Sequence, residues 1–409
     1  MSNRLKFYRE QMAAFEGTVD PRKAVDSGYY VTEPRKSSSS FITRVALRPS
    51  ATHLLIGGIG SGKTTQLLVA CDQFNTIDGV YAQYVDVSLY TDISKMSINV
   101  LTAISGLVLS QLIKDSSDEK IQEYRDLIRK KAYGYSEYIQ PRNSLLDFFP
   151  PTPNLTNFNI YAGLSNAISS PRIVRHKGIL PKQDEDNQDQ LIIAINYLNV
   201  AIRSTYGKVI FLFDGLDRLD DAQLFSQIVT KDVQTISSSG IGVVLVGPLM
   251  AAYSQYRDII EPAVNYTSYQ SCFDIDNDSD ARIFFEKILS VRSRENFIET
   301  SALQNLISYS GGVLRDLINL TQSSIEEAYV SDEETLNQNH VKAAADSFGR
   351  AKLLGISDQD LETLKQVSQT GKFIPRTDEE VRLLVTGRVL EYQYPTRRFA
   401  VHPTLQQLL

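Results

Sequence analysis

The chain has 409 residues, of which 42% are hydrophobic and 22% are charged. This length exceeds one ordinary domain, and the composition is that of a folded globular protein, so we expect two or three domains and exclude a disordered chain. The net charge of −6 argues against a protein that coats nucleic acid through bulk electrostatic attraction, while a local basic patch stays compatible with it.

The cysteines and the apolar segments indicate the compartment. Cys71 and Cys272 are far apart, which favours a reducing compartment and disfavours a disulfide framework or a zinc site. Residues 1–10 are charged and lack the apolar segment of a secretory signal. The longest uncharged run, Met96–Ile113, is interrupted by polar residues and predicts an amphipathic helix, since a membrane span needs about 20 mostly apolar residues. We therefore expect a cytoplasmic protein with no membrane partner.

The first two thirds of the chain alternate between strand and helix patterns. Residues 1–50 are predicted to be a lead-in with a short helix near Phe41–Leu47. The predicted order is then strand Thr52–Ile56, helix Lys63–Phe74, strand Val80–Leu89, helices Ile93–Ile113, Glu119–Lys131 and Gln190–Thr205, strand Lys208–Phe213, helix Ala222–Val229 and strand Gly242–Val246. Such alternation predicts a parallel sheet flanked by helices. A proline-rich segment at about 133–189 interrupts it and is predicted to be an insertion.

The last third of the chain has a different pattern. Strand signals end near Ser271, and helical periodicity follows at Ser279–Val291, Thr300–Ser310, Val313–Ala328 and Thr335–Phe348. The tail then predicts two helices and two short strands around a turn at Tyr394–Thr396. This is the order of elements in a winged helix.

One motif decides the chemical class. The segment Gly57–Thr64 fits the pattern G-x₄-G-K-[ST] between a predicted strand and a predicted helix. Glycines let the backbone N–H groups surround a phosphate, Lys63 reaches the β- and γ-phosphates, and the Thr64 hydroxyl ligates Mg²⁺. We therefore expect a P-loop that binds ATP, through residues Gly57, Gly58, Gly60, Ser61, Gly62, Lys63, Thr64 and Thr65.

A second motif supplies the expected metal-binding acid. Five apolar residues precede Asp214, which predicts a central strand ending in a carboxylate that holds Mg²⁺ together with Thr64. Many hydrolytic P-loop enzymes place a glutamate directly after this aspartate, but here the next residue is Gly215. Asp217 is then the nearest carboxylate able to polarise the attacking water. The alternative is that Asp217 and Arg218 form a surface ion pair or mark a helix start.

The order of these motifs resembles AAA+ ATPases of the Orc/Cdc6 type and their relatives, the STAND signalling ATPases. The Asp214-Gly-Leu-Asp217 segment is close to that of NACHT-type and KAP-type ATPases. The resemblance implies an α/β P-loop NTPase core with a helical lid and a C-terminal winged-helix domain. The expected boundaries are 1–50 for the lead-in, 51–270 for the core, 271–349 for the lid and 350–409 for the winged helix.

The same resemblance implies roles for three kinds of residue. Arg315, in the segment Gly311–Asp316, resembles the sensor 2 arginine that contacts the γ-phosphate from the lid, and would act with Lys63 and Asp217 in catalysis. His402 resembles the winged-helix histidine that contacts a nucleotide phosphate in STAND proteins, although Pro403 replaces the aspartate of that motif. Arg257 and Arg218 are candidates for an arginine finger.

These features predict an ATP-controlled switch that couples nucleotide state to assembly or to control of a protein effector. The STAND resemblance implies a setting in bacterial defence, and the AAA+ resemblance implies a homo-oligomer. The alternative is a DNA-engaging AAA+ ATPase, a loader or a regulator of transposition or replication, whose winged helix binds DNA with Arg388, Arg397 and Arg398. A third reading is a nucleotide-binding scaffold that hydrolyses little ATP.

Overall fold

A computed structural model describes residues 3–16, 28–34, 36–113, 115–133, 185–253 and 255–409. The predicted insertion at about 133–189 lies almost entirely outside the described residues. The chain divides into two compact units, which we call the sheet unit and the lid unit. The sheet unit comprises Ser37–Ile56 and Gln66–Ser268, and the lid unit comprises Met1–Lys36, Gly57–Thr65 and Tyr269–Leu409. The four predicted domain boundaries stay a prediction.

The helices and strands are numbered here in chain order. Through residue 270 they are α1 (Asn3–Glu16), α2 (Lys36–Leu47), β1 (Thr52–Gly57), α3 (Lys63–Phe74), β2 (Val80–Asp86), α4 (Val100–Leu112), α5 (Glu119–Tyr133), α6 (Glu185–Tyr206), β3 (Lys208–Asp214), α7 (Ala222–Ile228), α8 (Gln234–Ser238), β4 (Gly242–Val246), α9 (Met250–Tyr253), α10 (Arg257–Ala263) and β5 (Tyr266–Gln270). The remaining elements are α11 (Ser279–Ser290), α12 (Thr300–Tyr309), α13 (Leu314–Val330), α14 (Gln338–Leu353), α15 (Asp358–Thr370), α16 (Asp378–Val385), β6 (Val389–Tyr392), β7 (Arg398–Val401) and α17 (Pro403–Gln406). Helix α3 and strand β4 have the predicted bounds, whereas α1 and β5 were not predicted.

The first five strands form one sheet in the order β2-β3-β4-β1-β5. Strand β3 pairs in parallel with β2 and β4, and β4 pairs in parallel with β1. Residues Val209–Asp214 of β3 are buried, as expected for an apolar run in a central strand. The predicted α/β fold class is therefore confirmed. Because parallel strands end at the same edge of a sheet, the segments that follow β1 and β3 both start from that edge.

Helix α4 differs from its prediction. It begins at Val100 rather than Ile93, because Ile93–Lys95 forms a separate 3₁₀ turn. Its residues are buried from Val100 to Gln111, so the predicted amphipathic character is wrong. The polar residues of this helix are small or find partners inside the unit, and the Ser105 hydroxyl, for example, donates to the Leu101 carbonyl. Within the described residues, no helix is both long and apolar enough to cross a membrane.

The buried carboxylate of Asp232 caps the start of α4 from the π-helical turn Val229–Val233. Asp232 Oδ1 accepts from the backbone N–H of Asn99 at 2.8 Å, and Oδ2 accepts from that of Leu101 at 2.9 Å. The Asn99 side chain makes no capping hydrogen bond itself. Asp232 therefore satisfies N–H groups that the helix cannot satisfy internally. Burial raises the pKa of this carboxyl to about 7, against the lowering effect of the hydrogen bonds.

The lid unit packs α1 and helices α11 to α14 around one apolar core. This core includes Phe15, Phe285, Leu306, Leu317 and Val341. Helix α1 lies against the end of α13, where the Arg4 guanidinium donates to the Tyr329 carbonyl at 2.8 Å. The beginning of the predicted lead-in is thus part of the lid unit.

The chain ends in two helices, α15 and α16, followed by the antiparallel β6–β7 hairpin and the short helix α17. This is the order predicted for a winged helix. The first turn of α16 carries the three acidic residues Asp378, Glu379 and Glu380. The backbone N–H of Cys272 donates to the Glu391 carbonyl at 3.2 Å, which attaches the chain segment after β5 to the hairpin.

Candidate functional site

The P-loop lies between β1 and α3 and has the backbone conformation that its glycines allow. Gly60 has a φ of +79° and Gly62 a φ of +93°, values that other residues adopt only with strain. Lys63 is 5% exposed, and its ammonium group donates to the carbonyls of Gly57 and Gly58 at 2.9 Å each. The loop therefore holds its lysine against its own backbone, at the start of a helix whose N-terminus attracts anions.

The tip of the P-loop contacts the start of lid helix α13. A Cβ atom placed on Gly60 would lie 2.7 Å from Arg315 Cβ and 2.9 Å from Val313 Cγ1. A Cβ atom on Gly62 would lie 3.1 Å from Leu314 Cδ1. The absence of side chains at these two glycines therefore lets the helix approach the loop.

This contact places Arg315 beside the loop that is expected to bind phosphates. The Arg315 side chain is exposed and has no ion pair with any residue that the structure describes. It stands in the first turn of α13, where the helix dipole disfavours a cation. An arginine in this position can pair with an anion such as a phosphate group. The predicted contact of Arg315 with the γ-phosphate stays a prediction.

Gln270, at the end of β5, is a loop-binding residue that the sequence analysis missed. Its side-chain N–H donates to the Ser61 carbonyl at 2.9 Å. A Cβ atom on Gly57 would lie 2.3 Å from the Gln270 carbonyl oxygen, so only glycine fits at that position. No motif marks Gln270, because its role depends on a strand that the sequence pattern did not predict.

Asp214 ends strand β3 and is 5% exposed. Its Oδ1 accepts from the backbone N–H of Gly215 at 2.8 Å, and its Oδ2 accepts from the Tyr84 hydroxyl at 2.7 Å. Tyr84 lies on the neighbouring strand β2 and fixes the orientation of the expected metal-binding carboxylate. The sequence analysis did not identify this tyrosine, since the contact comes from strand pairing and not from a local motif.

Asp217 lies in the 3₁₀ turn Leu216–Arg218 that follows Asp214. The turn begins at Gly215, whose φ of +92° favours glycine. Asp217 is partly exposed and Arg218 is exposed. The proposed role of Asp217 in activating water stays a prediction.

The predicted metal ligands, Thr64 and Asp214, suit Mg²⁺ better than a metal ion whose ligands all come from the protein. Thr64 offers a hydroxyl and Asp214 a carboxylate, and Mg²⁺ is commonly bound by one or two carboxylates together with substrate phosphates and water. Across the part of the chain that is described, no group of three histidine, cysteine or acidic side chains is arranged to hold a metal ion. The predicted metal site at Thr64 and Asp214 stays a prediction.

Three comparisons with known proteins were informative to different degrees. No family model matches this sequence, and no curated protein matches it. Three solved structures are similar over most of the chain. Aeropyrum pernix Orc1 in complex with DNA is 12% identical, with 93% of this chain and 95% of that chain covered and a TM-score of 0.44. Cdc6p from Pyrobaculum aerophilum is 12% identical, with 94% and 95% covered and a TM-score of 0.43. The Thermotoga maritima RuvB Holliday junction branch migration motor is 12% identical, with 91% and 92% covered and a TM-score of 0.37.

Two of these structures, Orc1 and Cdc6p, are of the Orc/Cdc6 type that the sequence motifs resemble. At identities near 12% the likeness concerns the fold alone.

His402 directly precedes α17 and is buried. Its Nδ1 accepts from the Thr404 backbone N–H at 3.3 Å, so the ring proton is on Nε2, which lies 3.1 Å from Asp316 Oδ2. Lys352 Nζ lies 3.3 Å from the same carboxylate oxygen. Burial lowers the pKa of His402, which agrees with a neutral ring. These contacts support a structural link to α13, and the predicted phosphate contact stays a prediction.

The three arginines of the predicted winged helix make contacts within the lid unit. Arg388 donates to the carbonyls of Lys352 and Leu354 at 2.8 and 2.9 Å. Arg397 pairs with Glu391 at 3.1 Å, and Arg398 forms a bidentate pair with the buried Asp274. The predicted basic cluster is therefore largely engaged by carbonyls and carboxylates.

The two candidates for an arginine finger are both exposed. Arg257 begins α10 and pairs with Glu261 at 3.4 Å. Arg218 ends the turn after Asp214. The positions of Arg257 and Arg218 do not show which of the two would act on a neighbouring copy. Both assignments stay predictions.

Proposed function

We propose that this protein is an ATP-binding and ATP-hydrolysing molecular switch of the AAA+ type. In this proposal the P-loop residues Gly57–Thr65 surround the phosphates, Lys63 neutralises the β- and γ-phosphates, and Thr64 and Asp214 hold Mg²⁺. The observation that carries the proposal is the contact of Gly60 with the start of α13, which brings Arg315 to the loop. A helix that touches the loop with an exposed cation is suited to report whether a γ-phosphate is present.

The first route from the nucleotide to the winged helix runs through one helical turn. Arg315 faces the P-loop, and the next residue, Asp316, accepts from His402 and pairs with Lys352. The pKa of Asp316 is held below its usual range by His402 and Lys352, against the effect of burial. A movement of Arg315 therefore strains a buried, charged contact with the winged helix.

The second route runs through the segment that follows β5. Gln270 holds the P-loop at Ser61, while two positions farther on Cys272 is bonded to the β6–β7 hairpin. Asp274 then pairs with Arg398 of β7. The same short segment thus contacts the phosphate-binding loop at one end and the winged helix at the other, which supports coupling between nucleotide state and winged-helix position.

We extend the proposal to the output of the switch. The segment Asp214-Gly-Leu-Asp217 resembles STAND ATPases, and we recognise no nuclease or protease segment in the sequence. We therefore propose that the ATP state controls self-assembly and acts on a protein effector. A role in bacterial defence follows from the STAND resemblance alone.

The alternative is a DNA-engaging AAA+ ATPase, and the helix–helix–hairpin order of the winged helix favours it. The contacts of its surface oppose it. Arg388 and Arg398 are engaged within the lid unit, and the first turn of α16 carries three acidic residues, which repel DNA phosphates. Absence of duplex binding at low salt, with and without ATP, would dismiss this alternative.

A binding experiment tests the P-loop assignment. We expect Lys63→Ala to abolish binding of a fluorescent ATP analogue in the presence of Mg²⁺, because the phosphates lose their main cation. The exposed Lys208→Ala is the matched control and should bind as the wild type does. Unchanged affinity of the Lys63 variant would contradict the proposed function.

A second experiment tests the switch itself. We expect the molecular mass of the purified protein, measured by light scattering, to rise with a non-hydrolysable ATP analogue and not with ADP. Equal mass in both nucleotides would remove assembly from the proposal. Nucleotide binding without any phosphate release that depends on Lys63 would favour a scaffold instead.

A further inference from the structure

A second carboxylate stands beside Asp214 at the edge of the sheet. Strands β2 and β3 pair in parallel with Asp86 directly opposite Asp214. Tyr84 precedes Asp86 by two residues, so both side chains leave β2 on the same face. The Tyr84–Asp214 hydrogen bond shows that Asp214 points to that face as well. The pairing thus brings Tyr84, Asp86 and Asp214 together at the end of two strands.

The residue after Asp214 is Gly215, which has no side chain and lies next to Asp86. Gly215 has a φ of +92°, and a Cβ atom there would lie 3.5 Å from Asp86 Oδ1. Hydrolytic P-loop enzymes commonly carry a glutamate at this position, so this chain lacks the second carboxylate that would directly follow Asp214. The carboxylate of Asp86 reaches the same neighbourhood from β2.

Asp86 is held in place by contacts that leave it partly exposed. Its Oδ1 accepts from the Ser88 backbone N–H at 3.0 Å and from the Ser88 hydroxyl at 2.6 Å. Asp86 thereby caps the 3₁₀ turn Val87–Leu89. This capping explains an acceptor oxygen at position 86, and an asparagine would meet the same need. The strand register places this acid directly opposite Asp214, which capping does not require.

We infer that Asp86 is the general base of ATP hydrolysis, and this inference rests on the proposed function. The oxygen of a water molecule attacks the γ-phosphorus and its proton passes to the Asp86 carboxylate. The bond between the γ-phosphorus and the β–γ bridging oxygen breaks, and ADP leaves with that electron pair. Asp86 then releases the proton to solvent. Tyr84 positions Asp214 and takes no proton.

The inference competes with Asp217 for the same task. Asp217 lies in a turn beyond the end of β3, whereas Asp86 is fixed by strand register and by Ser88. The two assignments predict opposite outcomes for paired substitutions. They can therefore be separated by the rate of hydrolysis with binding measured in parallel.

The test compares Asp86→Asn with Asp217→Asn, and uses the exposed Asp220→Asn as the control. We expect Asp86→Asn to lower the rate of phosphate release at saturating Mg·ATP by about 100-fold or more, as for loss of a general base. Its affinity for a fluorescent ATP analogue should stay within about threefold of the wild type, since asparagine keeps the bond to Ser88. Its unfolding midpoint should also match the wild type.

Each other outcome has a defined meaning. A near-normal rate for Asp86→Asn overturns the inference, and a loss confined to Asp217→Asn assigns the base to Asp217. Phosphate release that does not depend on Lys63 also overturns the role of Asp86. In that case the binding assay with Lys63→Ala decides separately whether the proposed nucleotide site stands.

Discussion

Replacing Gly60 by alanine adds one methyl group at the tip of the P-loop. This substitution tests whether the contact between the loop and the start of α13 affects nucleotide binding. In Gly60→Ala, the new Cβ atom would meet Arg315 Cβ at 2.7 Å and Val313 Cγ1 at 2.9 Å. Carbon atoms pack at about 3.5 Å or more. The difference, 3.5 − 2.7, means that the start of α13 must withdraw by roughly 0.8 Å.

The expected cost has two parts that a control can separate. A side chain at a φ of +79° costs about 1–2 kcal/mol in backbone strain, and the overpacked contact adds about 1–3 kcal/mol. Gly355 has a φ of +73°, and a Cβ atom there would meet nothing within 4 Å, so Gly355→Ala reports the backbone strain alone. The contact cost is the difference between the two variants.

The assay is urea unfolding together with the affinity for Mg·ATP. We expect Gly60→Ala to lose more stability than Gly355→Ala, and to bind ATP at least about tenfold more weakly, because Arg315 and the loop are pushed apart. The Gly355 variant should bind ATP normally. If both variants lose the same stability and both bind ATP normally, the loop–lid contact does not act as we argue.

Two further predictions concern charges. Arg315→Ala should weaken ATP binding about tenfold and leave ADP binding unchanged, because a charged contact to a γ-phosphate is lost; the exposed Arg376→Ala is the control, and equal loss of both nucleotides would contradict the γ-phosphate contact. For Asp232, a pKa raised to about 7 means that the folded state holds a proton more tightly than the unfolded chain between about pH 4 and 7. Its contribution to stability is therefore present at low pH and lost as the pH rises towards 7. Asp232→Asn should remove about 2 kcal/mol more stability at pH 5 than at pH 8, as measured by urea unfolding, and an equal loss at both pH values would refute the assignment.

Local motifs made part of the site predictable from the sequence. The P-loop is a continuous segment whose glycines, lysine and threonine each have a role in phosphate binding, and β3 is a continuous apolar run ending in Asp214. The contact of α13 with the loop also agrees with the sensor 2 resemblance that pointed to Arg315. In the P-loop and in β3 the residues that matter are close together in the sequence.

The remaining site residues depend on distant pairing. Tyr84 and Asp86 meet Asp214 through the register of β2 and β3, and no spacing in the sequence reports that register. Gln270 reaches the loop from β5, a strand of mixed polar residues with the sequence YTSYQ. Helix α1 was missed for a different reason, because its apolar positions are scattered among charged ones and give no clear helical pattern.

The turn before α13 indicates why the switch should have two states rather than a continuous range. Gly311 and Gly312 both have positive φ values, and a Cβ atom on Gly312 would lie 1.7 Å from the Phe273 carbonyl oxygen. The Gly311 carbonyl accepts from the buried Tyr392 hydroxyl at 2.8 Å. The turn is thus packed both against the segment after β5 and against the β6–β7 hairpin. A rotation of α13 large enough to move Arg315 away from the loop has to break these contacts together, and close-packed contacts that break together favour an all-or-none change.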